Sequence, residues 1–153
     1  SHSVTFRREG VEEGTTKVSV NKDQTVTLIP YAERVPASDE KKAHFEIRIL
    51  RLKQKEIQGG RGASFVSVSG QQELTAELRD PDGKWQKVPV KRLMIGEATI
   101  RYPEGYAPVR VNGKDMEPIP IADTGNYVVV LFDDADGNIK SVNFRDFKFL
   151  SAD

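Results

Sequence analysis

The side chains best suited to chemistry in this sequence are aromatic rings near a stiff loop. Tyr102 and Tyr106 lie in residues 101–108, where two prolines restrict the backbone and a glycine permits a turn between predicted strands. Trp85 is the only tryptophan. Exposed rings on a rigid support can stack on a sugar or anchor a protein partner. The sequence therefore offers these three residues as candidates for partner or glycan binding, with burial against the core as the alternative.

An acidic cluster near the end of the chain is the one candidate for a metal site. Asp133, Asp134 and Asp136 supply the hard oxygen ligands that Ca²⁺ prefers. The EF-hand spacing is not met, because alignment on Gly137 puts Asn143 where a bidentate glutamate belongs. We predict a solvated hairpin turn, typical of Asp-Gly, with a weak calcium site as the alternative. No cofactor is predicted.

Other catalytic groups are sparse. The chain has no cysteine, which excludes thiol catalysis, zinc–thiolate sites and disulfides. His2 belongs to residues 1–3, which resemble the remnant of a cleaved expression tag. His44 stands alone among alternating apolar residues and is predicted on the solvent face of a strand. The sequence therefore predicts no nucleophile–base pair.

A pair of carboxylates remains the one enzymatic possibility. Glycoside hydrolysis needs two carboxyl groups at a defined separation, which a sequence cannot supply. The chain has 23 acidic residues, so such groupings arise by chance. We therefore predict a protein that is not an enzyme, with a small β-fold hydrolase as an alternative; its candidate carboxylates are Glu97, Glu104, Asp115 and Glu117.

A glycine-rich stretch at residues 58–62 is the only break in composition. It lacks the spacing of a phosphate loop, and we predict a mobile loop in which Arg61 presents its charge to an acidic partner. The stretch lies either inside one domain, residues 4–153, or between an N-terminal segment, residues 4–58, and a domain at residues 63–150. The single domain is preferred, since the N-terminal piece would be marginal alone.

Composition and charge narrow the classes of partner. The chain has 153 residues, 37% of them hydrophobic, and equal numbers of basic and acidic side chains, 23 each. A neutral chain lacks the positive excess with which proteins bind phosphate backbones, so no nucleic acid partner is predicted. The longest apolar run, residues 127–132, is far shorter than the ~20 residues that span a bilayer. Membrane insertion is therefore not predicted.

Short segments of alternating apolar and polar residues dominate the chain and predict strands. Turn signals such as Asp82-Gly83 and Asn112-Gly113 separate them. Many short strands with such turns predict an all-β fold, an antiparallel β-sandwich of about seven to nine strands with Greek-key connections. The alternating segments are residues 17–20, 25–28, 66–68, 74–78, 88–90, 98–102 and 109–111.

Residues 38–60 admit two interpretations. The alternation of residues 43–49 predicts a strand, and the reversed phase at Leu50 and Leu52 then requires a bulge near Leu50. The alternative is a helix over residues 39–58, capped at Ser38 or Asp39 and ended by two glycines, which would make the fold α+β. We favour the strand because Phe and Ile dominate the first half.

From Gly70 onward the sequence resembles immunoglobulin-like domains, including bacterial Ig-like repeats, over residues 70–149. The resemblance is carried by a B-type strand at residues 74–76, by Trp85, and by residues 123–129, which are similar to the D-x-G-x-Y corner before strand F. Ala76 and Val129 stand where the family has cysteines. The resemblance implies a tyrosine corner at Tyr127, an architecture used for adhesion, spacing and binding, and no catalytic residues.

Together these features predict a non-catalytic binding or structural module of an exported or surface bacterial protein that engages a protein partner. A carbohydrate-binding module that uses the exposed aromatic residues is the main alternative. An extracytoplasmic location, in the periplasm or on the cell surface, is favoured over a cytoplasmic one.

Overall fold

The computed structural model describes residues 1–22 and 24–146, and none of these residues is in a helix. The prediction of an all-β fold is confirmed. Fourteen strands are present in the described residues, more than the seven to nine predicted. They are β1 (His2–Arg8), β2 (Val11–Val18), β3 (Val26–Val35), β4 (His44–Lys53), β5 (Arg61–Ser67), β6 (Glu73–Arg79), β7 (Trp85–Lys91), β8 (Ile95–Ile100), β9 (Gly105–Ala107), β10 (Val109–Val111), β11 (Lys114–Asp115), β12 (Ile119–Ile121), β13 (Gly125–Asp133) and β14 (Ile139–Arg145).

The described chain divides into two compact units, residues 1–54 and residues 55–146. The division falls shortly before the glycine-rich stretch. Whether the chain counts as one domain or two stays a prediction.

The first unit is one four-stranded sheet in the order β1-β2-β4-β3. Two antiparallel pairs, β1 with β2 and β3 with β4, meet through a parallel bridge between Glu12 and Glu46. Gly14 makes this approach possible, because a Cβ atom there would overlap the main-chain oxygen of Ile47. The bridge brings side chains from distant parts of the sequence onto one face of the sheet.

Strand β4 occupies the segment for which helix and strand were both considered, so the helical alternative for residues 39–58 is wrong. The bulge expected near Leu50 is also absent: β3 and β4 stay in unbroken register from Val35–His44 to Val26–Lys53. Alternate residues of a strand face opposite sides, so the phase reversal places apolar side chains on both faces. Ile47 is buried on one face and Leu52 on the other.

The second unit contains two four-stranded sheets, β14-β13-β5-β8 and β11-β10-β6-β7, and a two-stranded sheet, β12-β9. Strand β6 shows the predicted alternation, with Leu74, Ala76 and Leu78 buried between more exposed neighbours. One hydrophobic core draws on all three sheets and includes Phe65 of β5 and Ile119 of β12. This arrangement is consistent with a β-sandwich.

One sheet of the second unit also departs from the purely antiparallel arrangement expected, as the bridge between β2 and β4 does in the first unit. Strands β5 and β13 run parallel, in register from Arg61–Gly125 to Ser67–Leu131. Parallel neighbours require a long crossover connection. The residues between these two strands form β6 to β12 and supply that crossover, which local strand patterns could not reveal.

Candidate functional site

A groove of about 500 Å³ lies at one side of the second unit, along the first half of β14. Both β14 and β11 are edge strands of their four-stranded sheets. The groove is therefore bordered by the edges of two different sheets. Its lining consists of Lys114, Asp115, Met116, Glu117, Asn138, Ile139, Lys140 and Ser141.

The hydrogen-bond register of β14 determines which of its backbone groups face away from β13. Asp134 N–H donates to the Asn138 carbonyl at 2.8 Å, and Asp146 N–H donates to the Asn126 carbonyl at 2.8 Å. Bonded and non-bonded pairs alternate along an antiparallel ladder. Lys140 and Val142 therefore bond to β13, whereas the backbone groups of Ile139 and Ser141 point outward.

The other side of β13 confirms this register. The Leu131 carbonyl, opposite Ser141, accepts from Val68 N–H at 2.9 Å and so points away from β14. Among the described residues, no other strand or loop bonds to the outward backbone groups of Ile139 and Ser141. The groove thus runs beside two strand positions whose outward N–H and C=O groups have no backbone partner within residues 1–22 and 24–146.

Ser141 adds an unsatisfied polar atom to the groove lining. Its residue is 9% exposed, and its Oγ is buried without a hydrogen-bond partner among the described residues. Buried polar atoms are normally hydrogen-bonded, and an exception calls for an explanation. Ile139 and Met116 pack against the core, so the floor of the groove is partly apolar.

Charged side chains of both signs flank the groove. Lys114 and Lys140 are exposed basic residues, and Glu117 is an exposed acid. Asp115 pairs with Arg110 at 3.3 Å. Beyond the groove, Asn143 Nδ2 donates to the Pro118 carbonyl at 3.3 Å and ties β14 to the segment before β12.

Trp85, predicted as a platform or core residue, lies at the start of β7 and is partly buried. The Arg110 guanidinium carbon lies 4.1 Å from the centre of its ring, a cation–π contact. The arginine covers one face of the ring. Only the opposite face could receive a ligand.

The two candidate tyrosines have different environments. Tyr102 packs against the core, and its hydroxyl donates to the Asp80 carbonyl at 3.4 Å, a long bond. Tyr106 lies on β9 opposite Pro120 and is 67% exposed. Of the two rings, Tyr106 alone is presented to solvent.

Arg61 begins β5, so the prediction of a mobile loop is wrong at this residue. Its guanidinium donates from Nη2 to the Ala122 carbonyl at 3.0 Å, and its Nε is buried without a described partner. Pairing with both β8 and β13 holds its backbone in a sheet. The side chain binds its own chain, which leaves less of its charge for an acidic partner.

Two of the three carboxylates of the predicted calcium alternative, those of Asp133 and Asp134, bind the protein's own backbone and a neighbouring hydroxyl. Asp133 accepts from Ser69 Oγ at 2.7 Å and from Gly70 N–H at 2.8 Å. Asp134 accepts from the N–H groups of Asp136 and Asn138, both at 2.9 Å. A calcium ion would have to displace these bonds.

Two of the candidate catalytic carboxylates have basic partners. Glu97 pairs with Lys55 at 2.5 Å, and Asp115 pairs with Arg110 as described above. Glu104 and Glu117 are exposed. Glycoside hydrolysis needs a protonated carboxyl group beside an ionised carboxylate. These contacts do not support such a pair.

A cluster that the sequence did not predict forms around His44 in the first unit. His44 Nε2 lies 2.7 Å from Glu46 Oε1 and 3.6 Å from Glu12 Oε2. His44 Nδ1 lies 2.8 Å from the Lys42 carbonyl oxygen. Lys41 pairs with Glu12 at 2.5 Å and Arg48 with Glu46 at 2.6 Å. His44 is thus half-buried among charges rather than alone on a solvent face.

The pKa values in this cluster shift in opposite directions. The hydrogen bond to Glu46, followed by that to the Lys42 carbonyl, raises the pKa of His44. The hydrogen bond from His44 lowers the pKa of Glu46, and the charge of Arg48 adds to this effect. The contact with Glu12 raises the pKa of Lys41. The contacts within the cluster therefore favour the charged forms of Lys41, His44 and Glu46.

Comparison of the chain with protein-family models finds no matching family, and comparison with curated proteins finds no match. Over the described residues, no helix is long and apolar enough to cross a membrane.

Proposed function

We propose that the protein is a non-catalytic binding module that takes up an extended segment of a protein partner along the free edge of β14. The observation that carries the proposal is the register of β14, which directs the N–H and C=O groups of Ile139 and Ser141 into the groove. An added strand makes main-chain hydrogen bonds to such an edge, a common mode of peptide recognition.

The groove also supports a preference among peptides. Successive side chains of a strand point to opposite faces, so every second side chain of the bound segment would face the groove floor. That floor contains Met116 and Ile139 and the unpartnered Ser141 hydroxyl. The segment that fits best carries a small apolar side chain against the groove floor. Beside Lys114 and Lys140 it carries either uncharged side chains or charged side chains of both signs.

The alternatives receive less support. A sugar-binding platform needs exposed aromatic faces, but Arg110 covers one face of Trp85 and Tyr102 packs against the core. The hydrolase alternative has little support, because Glu97 and Asp115 pair with basic side chains and Glu104 and Glu117 are exposed. The contacts of these residues therefore favour protein binding.

The resemblance to immunoglobulin-like domains is part of the proposal. Its support is the corner at Tyr127, whose hydroxyl donates to the Asp123 carbonyl at 2.8 Å and accepts from Ala122 N–H at 3.1 Å. In immunoglobulin domains strand F lies between strands C and G. Here the parallel strand β5 takes the place of C beside β13, so the proposed relation concerns the corner and the sandwich rather than the strand order. An exported or surface location, as in bacterial Ig-like repeats, belongs to the same proposal.

The test begins with selection of linear dodecamer peptides from a random library against the full chain, followed by affinity measurement with the synthesised peptide. We expect Ser141→Pro to weaken binding about tenfold or more, because it removes an outward N–H that bonds to none of the described strands and leaves the ladder to β13 intact. Proline is tolerated at such edge positions.

Two control variants separate this effect from unfolding and from a different binding surface. Val142→Pro removes an N–H that bonds to β13 and should lower stability, unlike Ser141→Pro. Tyr106→Ala should leave peptide affinity unchanged. The proposal is wrong if no selected peptide responds to Ser141→Pro, or if Tyr106→Ala abolishes binding.

A further inference from the structure

The two ring nitrogens of His44 both face oxygen atoms that can only accept hydrogen bonds. The Lys42 carbonyl lies beside Nδ1, and the Glu46 carboxylate lies beside Nε2. A neutral imidazole carries one proton and would place a lone pair against one of these oxygens. Both contacts are favourable together when the ring carries a proton on each nitrogen, or when Nδ1 carries the proton and a metal ion binds Nε2 and the carboxylate.

The orientation of the ring matches that of a metal-binding histidine. Such residues usually donate one ring N–H to a backbone carbonyl or carboxylate, which fixes the tautomer and directs the other nitrogen to the metal. The Lys42 carbonyl is placed to accept from Nδ1. Nε2 and one carboxylate oxygen each from Glu12 and Glu46 lie within 4.8 Å of one another.

We propose that Glu12, His44 and Glu46 form a binding site for a divalent transition-metal ion of the zinc type. The ion replaces the proton on Nε2 and displaces the Lys41 ammonium from Glu12. Zinc accepts imidazole nitrogen and carboxylate oxygen together, and three protein ligands leave a fourth position for water. Calcium, which prefers oxygen ligands alone, fits this donor set less well.

The site lies on three strands of the first unit: β2 and β4 carry the proposed ligands, and β3 lies beside β4. The parallel bridge between β2 and β4 sets Glu12 beside Glu46, and His44 lies two residues before Glu46 on the same face of β4. Glu33 of β3 lies directly opposite Glu46 and adds negative charge to that face. Arg48 binds the second oxygen of Glu46 and so can remain in place when a metal binds the first.

The Lys41 ammonium would compete with the metal ion for the carboxylate of Glu12. Its ammonium contacts the same oxygen of Glu12, Oε2, that lies 3.6 Å from His44 Nε2. Removing this charge should strengthen metal binding, whereas removing a ligand should weaken it. The opposite signs distinguish a metal site from a plain network of ion pairs.

The experiment is titration of the full chain with ZnCl₂ by isothermal calorimetry at neutral pH. We expect one site, lost or weakened at least tenfold in His44→Gln and strengthened in Lys41→Met. The chain's other histidine provides a matched control, since His2→Gln should bind zinc as the unmodified protein does. Circular dichroism establishes that each variant is folded.

Zinc binding that is unaffected by His44→Gln, that disappears in His2→Gln, or that is absent from the unmodified protein at millimolar zinc would overturn the assignment. Weaker binding in Lys41→Met would do the same. Because Lys41→Met is expected to gain affinity, misfolding of the ligand variant cannot produce the predicted pattern.

Discussion

Truncation of Phe65 to alanine is expected to lower the free energy of unfolding of the second unit by about 3–5 kcal/mol. Phe65 is fully buried in the core shared by the three sheets of that unit. Loss of a large buried ring removes its transfer free energy and leaves a cavity. Urea denaturation followed by the fluorescence of Trp85, which lies in the same unit, measures the change.

Phe45 supplies the matched control. It has the same side chain on β4 but is 47% exposed. Phe45→Ala should change the free energy of unfolding by about 0.5 kcal/mol or less, as substitutions at exposed positions usually do. Because Phe45 lies in the first unit, its urea transition is followed by far-ultraviolet circular dichroism rather than by Trp85 fluorescence. Similar costs for the two variants would contradict the single shared core of the second unit.

Replacement of Tyr127 by phenylalanine is expected to cost about 1–3 kcal/mol of stability. The ring is 3% exposed, and its hydroxyl makes two hydrogen bonds to backbone groups of the preceding turn. The variant keeps the ring and leaves the Ala122 N–H and the Asp123 carbonyl without this partner. Unsatisfied buried groups carry a penalty of that size. The measurement is the urea midpoint at an unchanged m-value.

The two tyrosines of residues 101–108, Tyr102 and Tyr106, provide graded comparisons. Tyr106→Phe removes a hydroxyl from an exposed ring and should cost less than about 0.5 kcal/mol. Tyr102→Phe should fall between, because its hydroxyl bond to Asp80 is long and only partly buried. A Tyr127→Phe variant as stable as the unmodified protein would remove the tyrosine corner and the main support for the immunoglobulin-like resemblance.

Local patterns were sufficient to predict the all-β class, several of the strands and the backbone contacts of Tyr127. The alternation in β6 and the turn before Tyr127 are encoded in consecutive residues, so a short window contains the relevant signal. The same windows correctly favoured a strand for β4 but wrongly placed a bulge near Leu50. Ten consecutive pairs with β3 keep that strand regular, and the reversal of phase is accommodated by burial on both faces.

Neither candidate site could be predicted in this way, because each depends on which strands become neighbours. His44 and Glu46 are visible as an alternate pair, but Glu12 comes from a strand more than thirty residues earlier. The groove requires β14 and β11 to be the outer strands of two different sheets, and in its sheet β14 lies beside β13, whose other neighbour is the parallel strand β5. No sequence signal marks that pairing.

The aromatic candidates illustrate a second reason. Trp85 and Tyr102 have the aromatic side chains that a ligand platform needs. Arg110, however, covers one face of the Trp85 ring, and the Tyr102 ring packs against the core. Exposure is decided by side chains that are distant in sequence. Tyr106 remains exposed because its two-stranded sheet, β12-β9, presents that face to solvent.

Amide hydrogen exchange along β14, measured by NMR with and without a selected peptide, tests the proposed binding mode most directly. In the free protein the amides of Ile139 and Ser141 should exchange faster than those of Lys140 and Val142, which bond to β13. Addition of the peptide should protect Ile139 and Ser141 and leave their neighbours unchanged. Slow exchange of Ser141 in the free protein, or protection confined to another part of the chain, would contradict strand addition at this edge.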